Sequence, residues 1–297
     1  MKKYRTFWPF VFLAPFCICF LLFNLFPILY SFYMSTLDWA GYNEKVFIGL
    51  DNFIRIFTKD KQFWESVWNT LRIGLGGFPI AIVLGLIFAA LLSNITKLKN
   101  TMQTMNFLPY ITTPVAIGMI FTFIFEEHVG IFNKLIEFLG GDAINFIGDA
   151  KWAPLVISFM IIWRNTGYFT TMYLAGITSI SEDLYEAAKI DGASGIQCFF
   201  RITIPLLKNV TTFLVITSTI YMFQMFDEAN LLFTNQSSGT VGGPKQSCLT
   251  IVWNFYNQAF GSNPRMGYAS AMSCVLFIII AVVSIIGLRL MNGKEEK

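Results

Sequence analysis

Ionisable side chains are scarce in this sequence: Lys, Arg, Asp and Glu together make up 13% of 297 residues, and His128 is the single histidine. A histidine-based nucleophilic triad and a histidine-rich zinc site both lack their parts. The net charge of +3 is small and its carriers are scattered, which excludes a nucleic-acid surface. Cys17, Cys19, Cys198, Cys248 and Cys274 show no metal-ligand spacing, and three of them lie inside apolar runs, so neither a disulfide framework nor a metal site is expected. Cys17 and Cys19 are two apart on a presumed helix and do not share a face. No stretch reads GxxxxGK followed by Ser or Thr; Gly293 and Lys294 lie in the tail without the preceding loop. The chain is therefore expected not to hydrolyse ATP and not to be an enzyme. Internal repeats and low-complexity tracts are also missing, which favours one domain.

What the sequence has instead is apolar surface. Hydrophobic residues make up 55% and the mean hydropathy is +0.59, a membrane composition. Six apolar runs, at about 7–35, 72–96, 104–125, 152–178, 210–233 and 266–290, each exceed the roughly 17 residues needed to cross hydrocarbon. The first follows Lys2, Lys3 and Arg5, is free of charge until Asp38, and holds Pro15, Asn24 and Pro27. It is too long for a signal-peptide core and reads as a retained, kinked helix. Between 38 and 68 the chain reads as an exposed loop with short helical pieces, in which Trp39, Trp64 and Trp68 suit interfacial anchoring. Gly74, Gly76, Gly77 and Gly85 in the second run allow close helix approach. Pro109 and Pro114 bend the third, which Glu126 and Glu127 end, and 128–151 reads as a structured external loop.

Orientation follows from the basic residues. With the N-terminus inside, the inner segments hold Lys97, Lys99, Lys189, Arg201, Lys208 and Arg289 as well as the terminal Lys and Arg residues. The outer basic residues lie in longer loops, where the positive-inside rule counts for less. The expected arrangement is all-α, six transmembrane helices, N-in and C-in, with residues 1–6 and 292–297 cytoplasmic. This also puts the polar loop 181–209 in the cytoplasm.

That loop, SEDLYEAAKIDGASGIQCFFRITIPLLKN, reads as two short helices broken at a glycine. Ser181 caps the first, Glu182 and Asp183 favour its positive end, and Asp191 with Gly192 supplies the turn. Leu184, Ala187, Ala188, Phe199, Phe200 and Ile202 give it an apolar face. From patterning alone it is a membrane-surface helix, an ordinary connector or a docking element. The order Glu186, Ala187, Ala188, then Asp191, Gly192, Ala193, then Phe200, Ile202, Ile204, Pro205 resembles the cytoplasmic EAA loop of binding-protein-dependent ABC importer permeases. LDW with FIGLDNFIRIF and FWESVWNTL resembles the first external loop of the carbohydrate-type members. FDEANLLFT, GGP at 242–244 and GYASAMS resemble the region between their fifth and sixth helices. The N-terminal half is similar to the first permease subunit of maltose, glycerol-phosphate and multiple-sugar systems. One departure is the insertion NQSSGTV at 235–241, where the family runs almost directly from Thr to GGP.

The resemblance implies a type I ABC importer permease fold in a prokaryotic cytoplasmic membrane. It implies as partners a second permease subunit, two ATP-binding subunits that carry ATP and Mg, and an extracytoplasmic solute-binding protein. The chain itself binds no cofactor on this reading. The short helix carrying Glu186, Ala187 and Ala188 would sit in a cleft of the ATPase, with Asp191, Gly192 and Ala193 forming the turn and Pro205 starting the next helix.

Polar groups inside the membrane are costly and carry a functional expectation. Trp163, Arg164, Asn165 and Tyr168 lie in the fourth run, and Tyr221, Gln224, Asp227 and Glu228 lie along the fifth at spacings of three and four. Aromatic rings stack on the apolar face of a sugar, and amides or carboxylates bond its hydroxyls, so the set suits a carbohydrate pathway. Structural pairing of Arg164 with a carboxylate, and membrane anchoring of the aromatics, are the competing readings. A glycerophosphodiester or another polar solute would call for more cations than Arg164. An ion-coupled secondary transporter would call for repeated halves and a carboxylate relay.

Overall fold

In the computed structural model, residues 2–95, 97–234 and 241–292 are described. The 235–240 part of the insertion and the tail beyond 292 lie outside these residues. The order is α1 (Lys2–Phe20), a π-helical turn (Leu21–Leu25), α2 (Phe26–Met34), a hairpin of β1 (Leu37–Asp38) and β2 (Val46–Phe47), then α3 (Asp51–Thr58), α4 (Lys61–Ser93), α5 (Lys99–Ile111), α6 (Pro114–Ile124), α7 (Ile131–Phe138) and α8 (Ala153–Thr178). There follow α9 (Glu182–Ile190), α10 (Gly195–Cys198), a second π-helical turn (Phe199–Thr203), α11 (Ile204–Leu206), α12 (Lys208–Phe223), α13 (Asp227–Thr234), α14 (Ile251–Phe260) and α15 (Met266–Asn292).

Among the described residues, three helical stretches are long and apolar enough to cross a membrane: Val11–Met34, Lys61–Ser93 and Met266–Arg289. Two bent pairs pass the same test together, α5 with α6 at 94° and Gly195–Leu206 with α12 at 63°. The 26-residue α8 has the length, but Arg164, Asn165 and Thr166 dilute its apolarity. The sequence reading of an exposed loop up to Trp68 is corrected, because α4 starts at Lys61. Phe63, Ser66, Thr70 and Ile73 are buried at helical spacing along it, and this apolar face carries the helix through the polar wording.

The chain forms two compact units, 1–61 with 255–279 and 62–254 with 280–297. In the first, buried Asn52 donates to the carbonyls of Ser35 (2.9 Å) and Leu37 (3.0 Å), fixing α3 to the hairpin. The guanidinium groups of Arg55 (5.1 Å) and Arg265 (4.7 Å) both lie over the Tyr268 ring, and its hydroxyl donates to Asp60.

The second unit is built on glycine contacts. A Cβ at Gly77 would sit 2.8 Å from the Ile161 side chain, and one at Gly85 would sit 2.5 Å from Phe169 Cβ. These contacts ascend together along both chains, so α4 and α8 run parallel. Gly74 is pressed against Met222 of α12, and Gly167 against the Asn106 backbone of α5. Tyr173 of α8 donates to Thr211 of α12 at 3.2 Å, while Gly176 touches Leu207 and Val210, so α12 runs antiparallel to α8. Ser158 Oγ donates to the Ile73 carbonyl (3.0 Å) and Asn106 Nδ2 to Thr170 Oγ1 (3.0 Å), satisfying polar groups between helices.

Candidate functional site

The loop at 181–209 is assembled from local signals. Ser181 Oγ accepts from the Asp183 amide at 3.3 Å, and Glu182 and Asp183 occupy the first turn of α9 while Lys189 occupies the last, matching the helix dipole. Gly192, at φ +81°, closes α9: its amide donates to Lys189 O (3.0 Å), and the Ala193 amide donates to Ala188 O (2.9 Å). Ser194 and Gln197 then form a reciprocal capping box at the start of α10. Tyr185 OH and Thr203 Oγ1, 2.9 Å apart, tie α9 to the second π turn.

This helix–turn–helix presents Glu186, Ala187, Asp191 and Gly192 to the exterior, with Ala188 and Ala193 half-buried. Leu184, Ile190, Ile196 and Phe200 are exposed beside them. Apolar side chains next to carboxylates make a surface suited to a protein partner. Pro205 is the second residue of α11, one turn before α12, which it precedes without opening.

Further along, α12 stops at Phe223, and Gln224, Met225 and Phe226 form a break before α13. Thr250 Oγ1 supports the break by donating to Met225 O at 2.8 Å. Asp227 and Glu228 occupy the first turn of α13, where the dipole favours negative charge. The break turns these residues toward the middle of α8, around a cleft of about 440 Å³ lined by Phe78, Tyr110, Arg164, Asn165, Tyr221, Gln224, Met225, Phe226, Asp227 and Glu228. Arg164 Nη1 donates to Glu228 Oε1 at 2.5 Å.

Six of the eight pathway residues expected from the sequence therefore meet in one cleft: Arg164, Asn165, Tyr221, Gln224, Asp227 and Glu228. They meet for a reason other than their spacing, since the helix on which that spacing was counted is broken. Trp163 lies off the lining and packs on Phe121, 5.5 Å between rings; with Arg164 and Asn165 both on the cleft, Trp163 stands about 200° around the helix from Asn165 and faces away. Tyr168 sits behind the lining, stacked on Tyr110 at 4.8 Å and 17°. Tyr110 and Phe78 are not found by reading the fourth and fifth runs alone. Asn106 and Tyr110, four apart in a run interrupted by proline, are the signal that would have found this face of α5.

These helices, crossing at glycines around a polar mid-helix cleft, define a membrane transport component. Residues 81–292 match the family described as binding-protein-dependent transport system inner membrane component. The lactose transport system permease protein LacF of Rhizobium radiobacter is 37% identical, with 100% of this chain and 97% of the relative covered. The probable ABC transporter permease protein YurN of Bacillus subtilis (strain 168) is 33% identical, with 97% of each covered. In fold, the chain is similar to a subunit of a bacterial alginate ABC transporter crystallised with an alginate pentasaccharide-bound periplasmic protein, at a TM-score of 0.84 and 21% identity, covering 100% of this chain and 97% of the other. The chain belongs to the binding-protein-dependent transport system inner membrane component family. It is a permease subunit of an ABC importer, a multi-pass protein of the cytoplasmic membrane.

Proposed function

We propose that this subunit carries a neutral sugar through the cleft at Arg164 and receives force from a separate ATPase through the 181–209 loop. One observation carries the substrate reading. Among the residues lining the cleft Arg164 is the one cation, and it is held by Glu228 with Asp227 beside it. An anionic solute would meet a lining whose formal charge is negative, whereas a sugar finds Tyr110, Tyr221 and Phe78 for its apolar faces and Asn165 and Gln224 for its hydroxyls. The lactose and arabinooligosaccharide systems to which related permeases belong fit this chemistry better than the sn-glycerol-3-phosphate systems of others.

The partners on this reading are a second permease, two ATP-binding subunits holding ATP and Mg, and an extracytoplasmic solute-binding protein. The parallel run of α4 and α8 supports a six-span count, because the chain between them must return across the membrane and α5 with α6 is the apolar segment available. Uptake by the complete transporter, in cells lacking other importers, tests the proposal with labelled lactose, maltotriose and glycerol 3-phosphate. Uptake of a neutral sugar, strongly reduced by Arg164→Ala at unchanged membrane level, is expected. Preferential uptake of glycerol 3-phosphate, or wild-type sugar uptake by Arg164→Ala, overturns it.

A further inference from the structure

Trp64 and Trp68, one turn apart near the start of α4, are 43% and 64% exposed, while Phe63 before them and Ser66 between them are buried. The two indoles line a second groove of about 400 Å³ together with Glu65, Asn69, Lys245 and Gln246. The far wall is strained: Lys245 (φ +51°) and Gln246 (φ +59°) are consecutive residues in left-handed backbone without being glycine. Side chains of α4 hold this turn in place. Asn69 Nδ2 donates to Gln246 O at 2.9 Å and Gln62 Nε2 donates to Gln246 Oε1 at 3.0 Å. These bonds leave Asn69 Oδ1 and Gln246 Nε2, an acceptor and a donor, with capacity for a ligand. A turn kept in an unfavourable conformation beside an aromatic platform is a preorganised wall.

The groove lies at the opposite end of the parallel helices from the coupling loop. Gly77 is level with Ile161, so Trp64 is about 20 Å toward one end, and the end of α8 that leads into α9 is about 25 Å toward the other. The sum of roughly 45 Å exceeds the hydrocarbon thickness of about 30 Å. The groove and α9 thus lie on opposite faces of the membrane.

We propose that the Trp64–Trp68 groove is a second carbohydrate-binding subsite, an entry station on the face opposite α9 that takes the pyranose ring of a neutral sugar before it reaches the Arg164 cleft. The proposal rests on the sugar reading above. Two indoles offer the flat apolar surface that a sugar's C–H face covers, Glu65 and the amides of Asn69 and Gln246 bond its hydroxyls, and Glu65 and Lys245 balance in charge, as a neutral ligand requires. A lipid tail would instead meet charged and amide groups around the rings.

The full chain in phosphatidylethanolamine–phosphatidylglycerol nanodiscs tests this by saturation-transfer NMR and tryptophan fluorescence, with maltotriose and lactose as probes. A sugar-dependent fluorescence change is expected to be lost in Trp64→Ala and Trp68→Ala. Its half-saturation concentration should rise roughly five- to tenfold in Trp68→Phe, which keeps a ring and protects against misfolding as the explanation. Trp39→Phe should leave the change intact. An unaltered sugar response in both alanine variants, or quenching of Trp64 and Trp68 by brominated lipid that sugar does not relieve, overturns the subsite. Sugar uptake by the complete transporter separates the two readings. Normal uptake with no response at these tryptophans removes the subsite alone, whereas absent uptake of every neutral sugar removes the sugar reading.

Discussion

Gly192 and Gly167 show how differently single residues are constrained here. Gly192 sits at φ +81° with nothing within 4 Å of where a Cβ would stand, so its requirement is conformational. Gly192→Ala is expected to cost about 1 kcal/mol of local helix-end stability, and the complex should still assemble. Gly192→Arg, by contrast, adds bulk to the proposed ATPase-facing surface and should abolish sugar uptake at normal membrane abundance. Uptake and subunit co-purification of the two variants check this, and wild-type uptake by Gly192→Arg removes the loop from coupling. Gly167 has no such latitude, because a Cβ there overlaps the Asn106 carbonyl of α5. Gly167→Ala should cost roughly 3 kcal/mol or more, seen as a fall in the melting temperature of the purified protein. Glu228→Gln leaves the Arg164 guanidinium without its countercharge in a half-buried cleft, so it should impair transport more than Asp227→Asn; uptake by the two variants decides.

Among the elements, the loop after α6 combines burial with a titrating cap. Asn133, fully buried, holds it together by donating to Glu126 O (3.1 Å) and Ile144 O (2.9 Å) and accepting from the Ile144 amide (2.9 Å). The Glu126 carboxylate accepts from the backbone amides of Val129 and His128, both at 2.6 Å, and the Val129 bond is the main cause of holding its pKa below the ordinary carboxylate value. A depressed carboxylate stabilises the folded loop above its unfolded pKa, and that contribution disappears as pH falls through the lower folded value. Amide exchange at 128–130, corrected for the intrinsic pH effect, should therefore accelerate in acid below about pH 4, and Glu126→Gln should show the faster exchange already at neutral pH. The two π-helical turns follow a shared logic. Leu21–Leu25 ends two residues before Pro27, and Phe199–Thr203 ends two residues before Pro205. Proline cannot donate to the preceding turn, and the wider turn absorbs the misfit.

At the scale of the whole molecule, long apolar runs and local caps were legible in the sequence, and what depended on distant contacts was not. Ser181, Gly192 and the acids between them announce α9 because capping and left-handed backbone are local requirements. Gly74, Gly77 and Gly85 announced close approach but not which helices they meet. The start of α4 was hidden because Trp64, Glu65 and Asn69 look like a loop until the buried face at Phe63, Ser66 and Thr70 is seen. Six of the residues that line the cleft can be named from the sequence but not the geometry that joins them, and Tyr110 cannot, because its neighbour Tyr168 lies in another run. The parallel arrangement of α4 and α8 was equally hidden, since it follows from packing across separate runs.

One feature of α8 sets the scale of motion available to such a permease. It is an unbroken helix of 26 residues with its only proline in the first turn, it carries Arg164 near its midpoint, and its far end feeds directly into α9. A rod about 39 Å long that pivots near its centre moves both tips in opposite senses, roughly 3 Å each for every 10° of tilt. A push of that size on the tip at Thr178 is returned at Ala153 at the other end of the helix, while the pivot itself scarcely shifts, so the cleft would open toward one end and close toward the other with its charge pair left standing.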